Sequence, residues 1–543
     1  LRHQADWLSG WLLNNWEYGE EGNNIKMGWD ISNNSWPKNF KNLKLPFLAL
    51  LLIFSSSCEL EEVAPFLDKT VYEDPQTAEA SAKGIYAGLT AYNAKERGIF
   101  VINGFSGLFI TGKQGQRITN PNNANLFSLN PTYDADSEAM WSEYYAVISR
   151  CNGAIQYTTT GNDAVFDNVA GHAYFLRAFS YFQLVRLWGD IPLWTVLPDN
   201  NNLHKAKSPA KDVYAQIISD AQQAESLMNE SLGIGYPLKF AANMLLAKVY
   251  MTLATNPDLG DGSSNYWQLA YDEAIKVKNS GRYSLHPNYS ELFTQSGENS
   301  RESIFEYQLS EIASNSQLGR NYTPWKYKTG MHFGWFSVHA SVYDSHVANY
   351  PADPRLDGTY LHYYTRADNN AEVKVYPSTG RNNFRSSHPY LFKFAEKDKS
   401  HSAQYNSQNY IMYRYADLLL MLAEISNELS KDAEAMGYVE QVLDRVGLTP
   451  HISYQGGQAS FRDAIMREYR FELLGEGEDS HNNRRRGYNY FLNNTILPHN
   501  NDPNKNQYDL TLITDETRIM KLPIPLGEVT TCLLYTSPSP RDS

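Results

Sequence analysis

Between Arg320 and Phe336 the chain reads Arg320-Asn321-Tyr322, Trp325-Lys326-Tyr327, His332-Phe333 and Trp335-Phe336. Aromatic rings packed this closely beside Arg, Asn and Lys suit one kind of chemistry well. A pyranose ring has an apolar C–H face that stacks on an aromatic side chain, and its rim of hydroxyls needs polar partners. Neither contact requires a nucleophile or a metal. The stretch lies where helical signals lapse, and long loops on a rigid scaffold are where binding sites are commonly placed. The candidate contacts here are Trp325, Trp335, Tyr327, Tyr322, Phe333 and Arg320.

Other chemistries find less support. Gly107 to Gln114 approaches a phosphate loop, but Gln114 stands where a Ser or Thr must follow Lys113 to hold magnesium. Gly115 and Asn120-Pro121 also argue against the helix such a loop needs. His332 and His339 have no cysteine nearby and read as packing or surface residues rather than metal ligands. No Gly-x-Ser-x-Gly elbow occurs. Asp417 and Glu424 share a helix face beside Arg414 and read as an ion-pair network fixing helix to helix; Arg484-Arg485-Arg486 reads as a solvated loop. Carboxylates are abundant enough for a glycosidase acid–base pair, so a glycoside hydrolase on a helical scaffold stays open as an alternative. A tetratricopeptide-type scaffold that binds a protein is the other.

The composition fits a large globular protein: 42% of the 543 residues are hydrophobic, with 38 Tyr, 23 Phe and 11 Trp. A formal charge of −13 argues against a nucleic-acid partner. Three cysteines make no disulfide framework. Near the start, Lys38, Lys41 and Lys44 precede the apolar run Leu45 to Phe54 and then Ser55-Ser56-Ser57-Cys58. That order is an export signal ending at a lipidation cysteine, Cys58, with an acidic stretch at Glu59, Glu61 and Glu62 behind it. On this reading Met27 is the start, and residues 1–57 are an upstream extension plus the signal peptide. The last residues, 532–543, read as sequencing-adapter sequence.

The elements that must position the aromatic stretch are helices. Gly171 to Leu187 is apolar on two sides, as a helix sandwiched between neighbours must be, and stops at Gly189 and Pro192. Further helices are expected over Thr77–Tyr92, Ser137–Tyr157, from a Ser208 cap with Pro209 as first residue, around Leu245–Leu253, over Trp267–Val277, Tyr410–Leu429, Val439–Val446 and Phe461–Leu474. Their succession suggests tetratricopeptide-like hairpins. The fold class is therefore mainly α: a helical-hairpin scaffold over about 77–281 and 408–478, with a loop-rich insertion carrying short strands over about 282–407.

Several blocks resemble one family in order. Ala173-Tyr-Phe-Leu-Arg-Ala178 with Gly189-Asp-Ile-Pro192 is similar to the signature of the SusD/RagB family, the glycan-binding outer-membrane lipoproteins of Bacteroidetes. Trp141…Cys151-Asn152, Glu302-Ser-Ile-Phe-Glu306, Asp353-Pro-Arg355, Tyr413-Arg-Tyr-Ala-Asp417, Glu468…Glu472 and Pro523-Ile-Pro525 match later blocks. The family continues past its Glu472 helix with a His-Arg-aromatic-Asp-Leu-Arg pattern, whereas this chain reads Glu478-Asp-Ser-His-Asn-Asn-Arg484. The resemblance implies a SusD-like domain over 58–531 that binds an oligosaccharide or polysaccharide without catalysis or a cofactor. It also implies a lipid anchor in the outer membrane, surface exposure, and delivery to a SusC-like TonB-dependent transporter. Glycan platforms in the family add an early loop, about 95–133 in this chain. That loop supplies the candidates Asn103 and Arg97, with Phe100, Phe105, Lys113 and Arg117 nearby.

Overall fold

The computed structural model describes residues 68–90, 97–111, 125–132, 135–198, 204–228, 232–261, 265–310, 316–329, 332–377, 388–397, 407–503 and 509–531. All of them lie in the unit Ala64–Ser543. Cys58, Lys113, Arg117 and the chain ends lie outside the described residues, as does the Arg97 side chain.

The scaffold is built from α1 (Pro75–Thr90), α2 (Arg97–Gly104), α3 (Ala135–Tyr157), α4 (Ala164–Trp188), α5 (Ala210–Leu227), α6 (Phe240–Thr255) and α7 (Tyr266–Asn279). α4 is its axis and packs on α1, α3 and α5. The Asp163 side chain caps its start, accepting from Val165 N–H at 2.7 Å, and Gly189 ends it at φ 78°. From Val169 to Trp188 every residue is buried except Tyr174 and Arg186, and of Arg186 the side chain itself is only 6% exposed. Rings such as Phe175, Phe179 and Phe182 each contribute about 2 kcal/mol on leaving water. Gly171 is forced by approach: a Cβ there would sit 2.6 Å from the Met228 backbone nitrogen. The Leu522 N–H donates to Leu187 O at 2.7 Å and Trp188 Nε1 to Pro523 O at 3.0 Å, so the Pro523 block seals the end of α4.

Sequence spacing finds most helices but shifts some ends. α5 starts one residue later than expected: Pro209 is the cap position, and Asp190 Oδ1 accepts the Ala210 N–H at 2.9 Å. The expected helix Tyr410–Leu429 is two elements. Tyr410–Arg414 is a strand paired antiparallel with Ser303–Tyr307, and the helix proper is Tyr415–Glu428. Alternating Tyr410, Met412 and Arg414 suit a ladder, and a second strand far away in sequence supplies it. Phe305 of the partner strand lies 5.4 Å from both the Phe175 and Phe179 rings, which joins this ladder to α4.

Within 282–407 lie α8 (Leu318–Tyr322) and α9 (Ala340–Asn349), so helices do not lapse there entirely. Two antiparallel pairs matter for the site. β1 (Phe109–Thr111) pairs with β2 (Phe336–Val338), and β3 (Tyr363–Thr365) with β4 (Glu372–Lys374). Later come α10 (Tyr415–Glu428), α11 (Asp432–Asp444), α12 (Gln458–Leu473) and α13 (Glu478–Arg485). α10 packs on α7, α11 and α12. Leu418, Met421, Leu422 and Ile425 are all buried, as their spacing requires.

Buried charge ties the later segments together. Arg355 donates to Glu468 at 2.6 Å and Glu472 at 2.8 Å. Arg414 reaches Glu302 at 2.8 Å, Glu472 at 2.7 Å and Glu476 at 2.7 Å. Asp417 and Glu424 do serve as helix ties, but not to Arg414: Asp417 pairs with Lys248 at 2.6 Å, and Glu424 with Arg485 and Arg486. Arg484 and Arg485 therefore belong to a buried helix rather than a solvated loop, because Glu424 and backbone carbonyls draw them inward.

Candidate functional site

The chain leaves α8 through Thr323-Pro324 and turns at Trp325-Lys326. Lys326 takes a left-handed φ of 67°, costly for a residue with a Cβ. The β3–β4 hairpin holds it there. Lys326 O accepts the Ala367 N–H at 3.0 Å, Trp325 O accepts the Tyr364 hydroxyl at 3.3 Å, and Lys326 Nζ pairs with Asp368. Arg366 clamps the same carboxylate with two bonds of 2.8 Å. These hydrogen bonds, Arg366 first and then Lys326, hold the Asp368 carboxyl well below its usual range.

The result is a presented indole. Trp325 is 53% exposed, with Lys326 Nζ 4.3 Å from its ring centroid and the Arg366 guanidinium at 6.0 Å. Beside it the hairpin turn exposes Ala367 to Glu372, including Asp368, Asn369 and Asn370. The Asn369 side chain fixes that turn by accepting the Ala371 N–H at 3.0 Å. β3 also exposes Tyr363 at 46%. Under the hairpin, Tyr327, Leu361, Tyr364, Val375 and Ala395 form a separate small core. An exposed ring on a rigid base, rimmed with charged and amide groups, is what stacking and hydroxyl recognition require.

The other candidate rings are foundations. Tyr322 is 1% exposed; its hydroxyl accepts from Asn103 Nδ2 at 3.0 Å, and its ring meets Phe109, Phe336 and Phe394. Asn103 also donates to Gly475 O at 3.0 Å, so its amide joins three distant segments and faces no solvent. Tyr327 is 2% exposed in the hairpin core. Trp335 is 7% exposed because Phe333 stacks parallel to it at 4.9 Å. The Arg320 guanidinium covers Phe333 in turn at 4.9 Å, leaving Phe333 half-buried. Gly334 permits this stack at φ 53°, where a Cβ would meet the Tyr390 ring at 2.9 Å. Buried groups offer a sugar no open face, so Tyr322, Tyr327, Trp335 and Asn103 are corrected from exposed contacts to buried supports. Phe100 and Phe105 are buried as well, on and just after α2.

The early and late segments do come together: β1–β2 pairing and the Asn103–Tyr322 bond place α2 against α8. Tyr363, Arg366 and Asp368 were missed by the sequence reading. Their signal was a hairpin, Tyr363-Tyr364-Thr365 and Val373 flanking Ala367-Asp-Asn-Asn370.

His332 is buried against Thr323, and burial lowers it to about 4. His339 stacks on His499 at 3.8 Å, and both His499 ring nitrogens face backbone oxygens. Among the described residues no group of His, Cys, Asp and Glu gathers to hold a metal, and no helix is long and apolar enough to cross a membrane.

Comparison with known proteins gives a consistent picture. A model described as the SusD family matches residues 260–532, and one described as "Starch-binding associating with outer membrane" matches residues 66–251. A SusD-like protein of Formosa agariphila is 28% identical over 466 residues, spanning 80% of this chain and 89% of the relative. Among solved structures, a SusD homolog from Bacteroides thetaiotaomicron aligns with a TM-score of 0.72 at 20% identity, covering 85% of this chain and 96% of that one. Surface glycan-binding protein A of the same organism, solved in complex with laminarihexaose, aligns with a TM-score of 0.66 at 19% identity, covering 84% and 98%.

Proposed function

Because this chain belongs to the SusD family, we propose that it binds an oligosaccharide or polysaccharide at the cell surface without cleaving it and passes it to a SusC-like TonB-dependent transporter. The observation that carries this reading is Trp325: a half-exposed indole on a braced turn, beside the polar rim of the β3–β4 hairpin. In this proposal the C–H face of a sugar ring stacks on Trp325. Lys326, Arg366 and the turn asparagines meet its hydroxyls, with Asp368 holding the two cations in place. Phe333 and Arg320 form an outer shelf, and Tyr322, Tyr327, Trp335 and Asn103 hold the platform in place.

Binding of this kind needs no acid–base pair. The carboxylates Asp417 and Glu424, the first place to look for one, are engaged by Lys248, Arg485 and Arg486. Outer-membrane association is supported by the description of the family model over 66–251, and Cys58 is the proposed lipid attachment.

The test is a binding screen of the soluble protein against laminarin-type and starch-type oligosaccharides, followed by Trp325→Ala. Loss of binding with unchanged thermal stability is expected. Unchanged binding would remove Trp325 from the site, and product release from any glycan would replace binding with hydrolysis. Co-purification of a barrel protein from the native membrane tests delivery.

A further inference from the structure

Helix α13 runs against the usual rule of burial. All eight side chains from Glu478 to Arg485 are buried, and none is apolar. Buried donors and acceptors are costly unless each has a partner. Most here have one. Glu478 accepts from Arg186 at 3.2 Å and Lys248 at 3.1 Å, Asp479 from Asn483 at 2.9 Å, and Arg485 donates to Glu424. Three do not: His481 Nε2, Asn482 Nδ2 and, on α4, Arg186 Nε have no hydrogen-bond partner. His481 is 6% exposed, Asn482 8%, and the Arg186 side chain 6%.

All three side chains line one cavity of about 130 Å³ among α4, α6 and α13. Phe182, Tyr214 and Met251 form part of its apolar wall, and the exposed Lys521 lies at its rim. Charge around it is unbalanced. Glu478, Asp417 and Glu424 are taken up by Arg186, Lys248 and Arg485. Arg484 and Lys521 also line the cavity. The Arg484 guanidinium sits between the Phe105 and Phe491 rings, 4.0 and 4.3 Å away, and donates to Ile519 O, Phe105 O and Ser480 rather than to a carboxylate. The walls thus hold surplus donors and surplus positive charge.

We propose that this cavity binds a small anion, an oxyanion or short carboxylate of the size of phosphate, sulfate or acetate. Asn482 Nδ2, Arg186 Nε and the Nε2–H of a neutral His481 donate to it, and Arg484 and Lys521 supply the field. That volume is well above the roughly 10–15 Å³ that one water needs, so one such ion fits. The site is separate from the Trp325 face and does not depend on the sugar-binding reading.

The test uses the soluble protein equilibrated in chloride, titrated calorimetrically with phosphate, sulfate and acetate at constant ionic strength, with thermal unfolding in parallel. At least one anion should bind saturably and raise the Tm above the chloride control. Asn482→Asp, which puts a carboxylate among the donors, should weaken binding about tenfold or more, a loss of about 1.4 kcal/mol. Lys521→Glu alters only the exposed rim and should weaken it severalfold; it carries the test if the Asn482 variant does not fold. No saturable binding beyond chloride would mean that the cavity holds only water. Equal binding by the wild type and the folded variants would place the anion elsewhere. Either result overturns the proposal.

Discussion

Two carboxylates in this molecule are each gripped by arginine, with opposite consequences. Glu472 has no exposed surface and meets Arg414 at 2.7 Å, Arg445 at 2.6 Å and Arg355 at 2.8 Å. Asp368 stands at the surface with Arg366 and Lys326. The bonds are alike and the surroundings are not. In the interior, cations drawn from three separate segments have no water to fall back on, so the cluster fixes the architecture. At the surface the same pairing is screened and contributes little to stability; what it does is aim Lys326, and with it the Trp325 indole. One ion cluster holds the chain together, and the other positions a ring.

The strongest way to break this comparison is Glu472→Ala. It leaves Arg355, Arg414 and Arg445 short of a shared buried partner and should cost about 3–5 kcal/mol, read by urea unfolding. A loss under about 1 kcal/mol would mean that water or rearrangement replaces the carboxylate, and that inside and outside do not differ as argued.

Acid tests the interior more gently. Burial alone would raise Glu424, but Arg485 and Arg486 outweigh it and hold the carboxyl at about 2. Burial likewise opposes Asp353, yet the His346 bond and Arg355 bring it to about 2. Both folded values lie below the unfolded ones of 4.5 and 3.8. Their contribution is therefore complete above about pH 5 and is lost as pH falls toward 2. For Glu424 it amounts to about 3 kcal/mol. The unfolding midpoint in urea should fall steeply across that window; a flat profile would contradict the ion-pair account.

The same contrast explains what the sequence could reveal. Helices α4 and α10 are legible because a buried apolar face leaves a period in one segment: Leu418, Met421, Leu422 and Ile425 suffice. Helix α13 leaves none, since its burial depends on Arg186, Lys248 and Glu424, each far away in the chain. The strand Tyr410–Arg414 was hidden for a related reason, its partner being a hundred residues upstream. At the site, Trp325 and Trp335 look equivalent in sequence. They are separated only by the Phe333 stack, the bare Gly334 and a hairpin some forty residues on. Ring density marks the region, and tertiary packing decides which ring faces solvent.

On the surface side the larger effect belongs to the ring itself. Trp325→Ala should weaken glycan binding about tenfold or more while leaving the urea midpoint unchanged, the reverse of the Glu472 result. A parallel loss of stability would show that the indole is part of the core.

The smallest expected effect discriminates best. Asp368→Asn keeps the shape of the side chain and removes the charge that Arg366 and Lys326 share. If that cluster only aims the indole, the midpoint of unfolding stays put and glycan binding weakens about threefold, because Lys326 and the ring beside it are less firmly held. The loss should also shrink at high salt, where screening has already loosened the wild-type pair. If instead Asp368 accepts a sugar hydroxyl directly, the deficit persists at every salt concentration, and the carboxylate moves from the support of the ring into the contact itself.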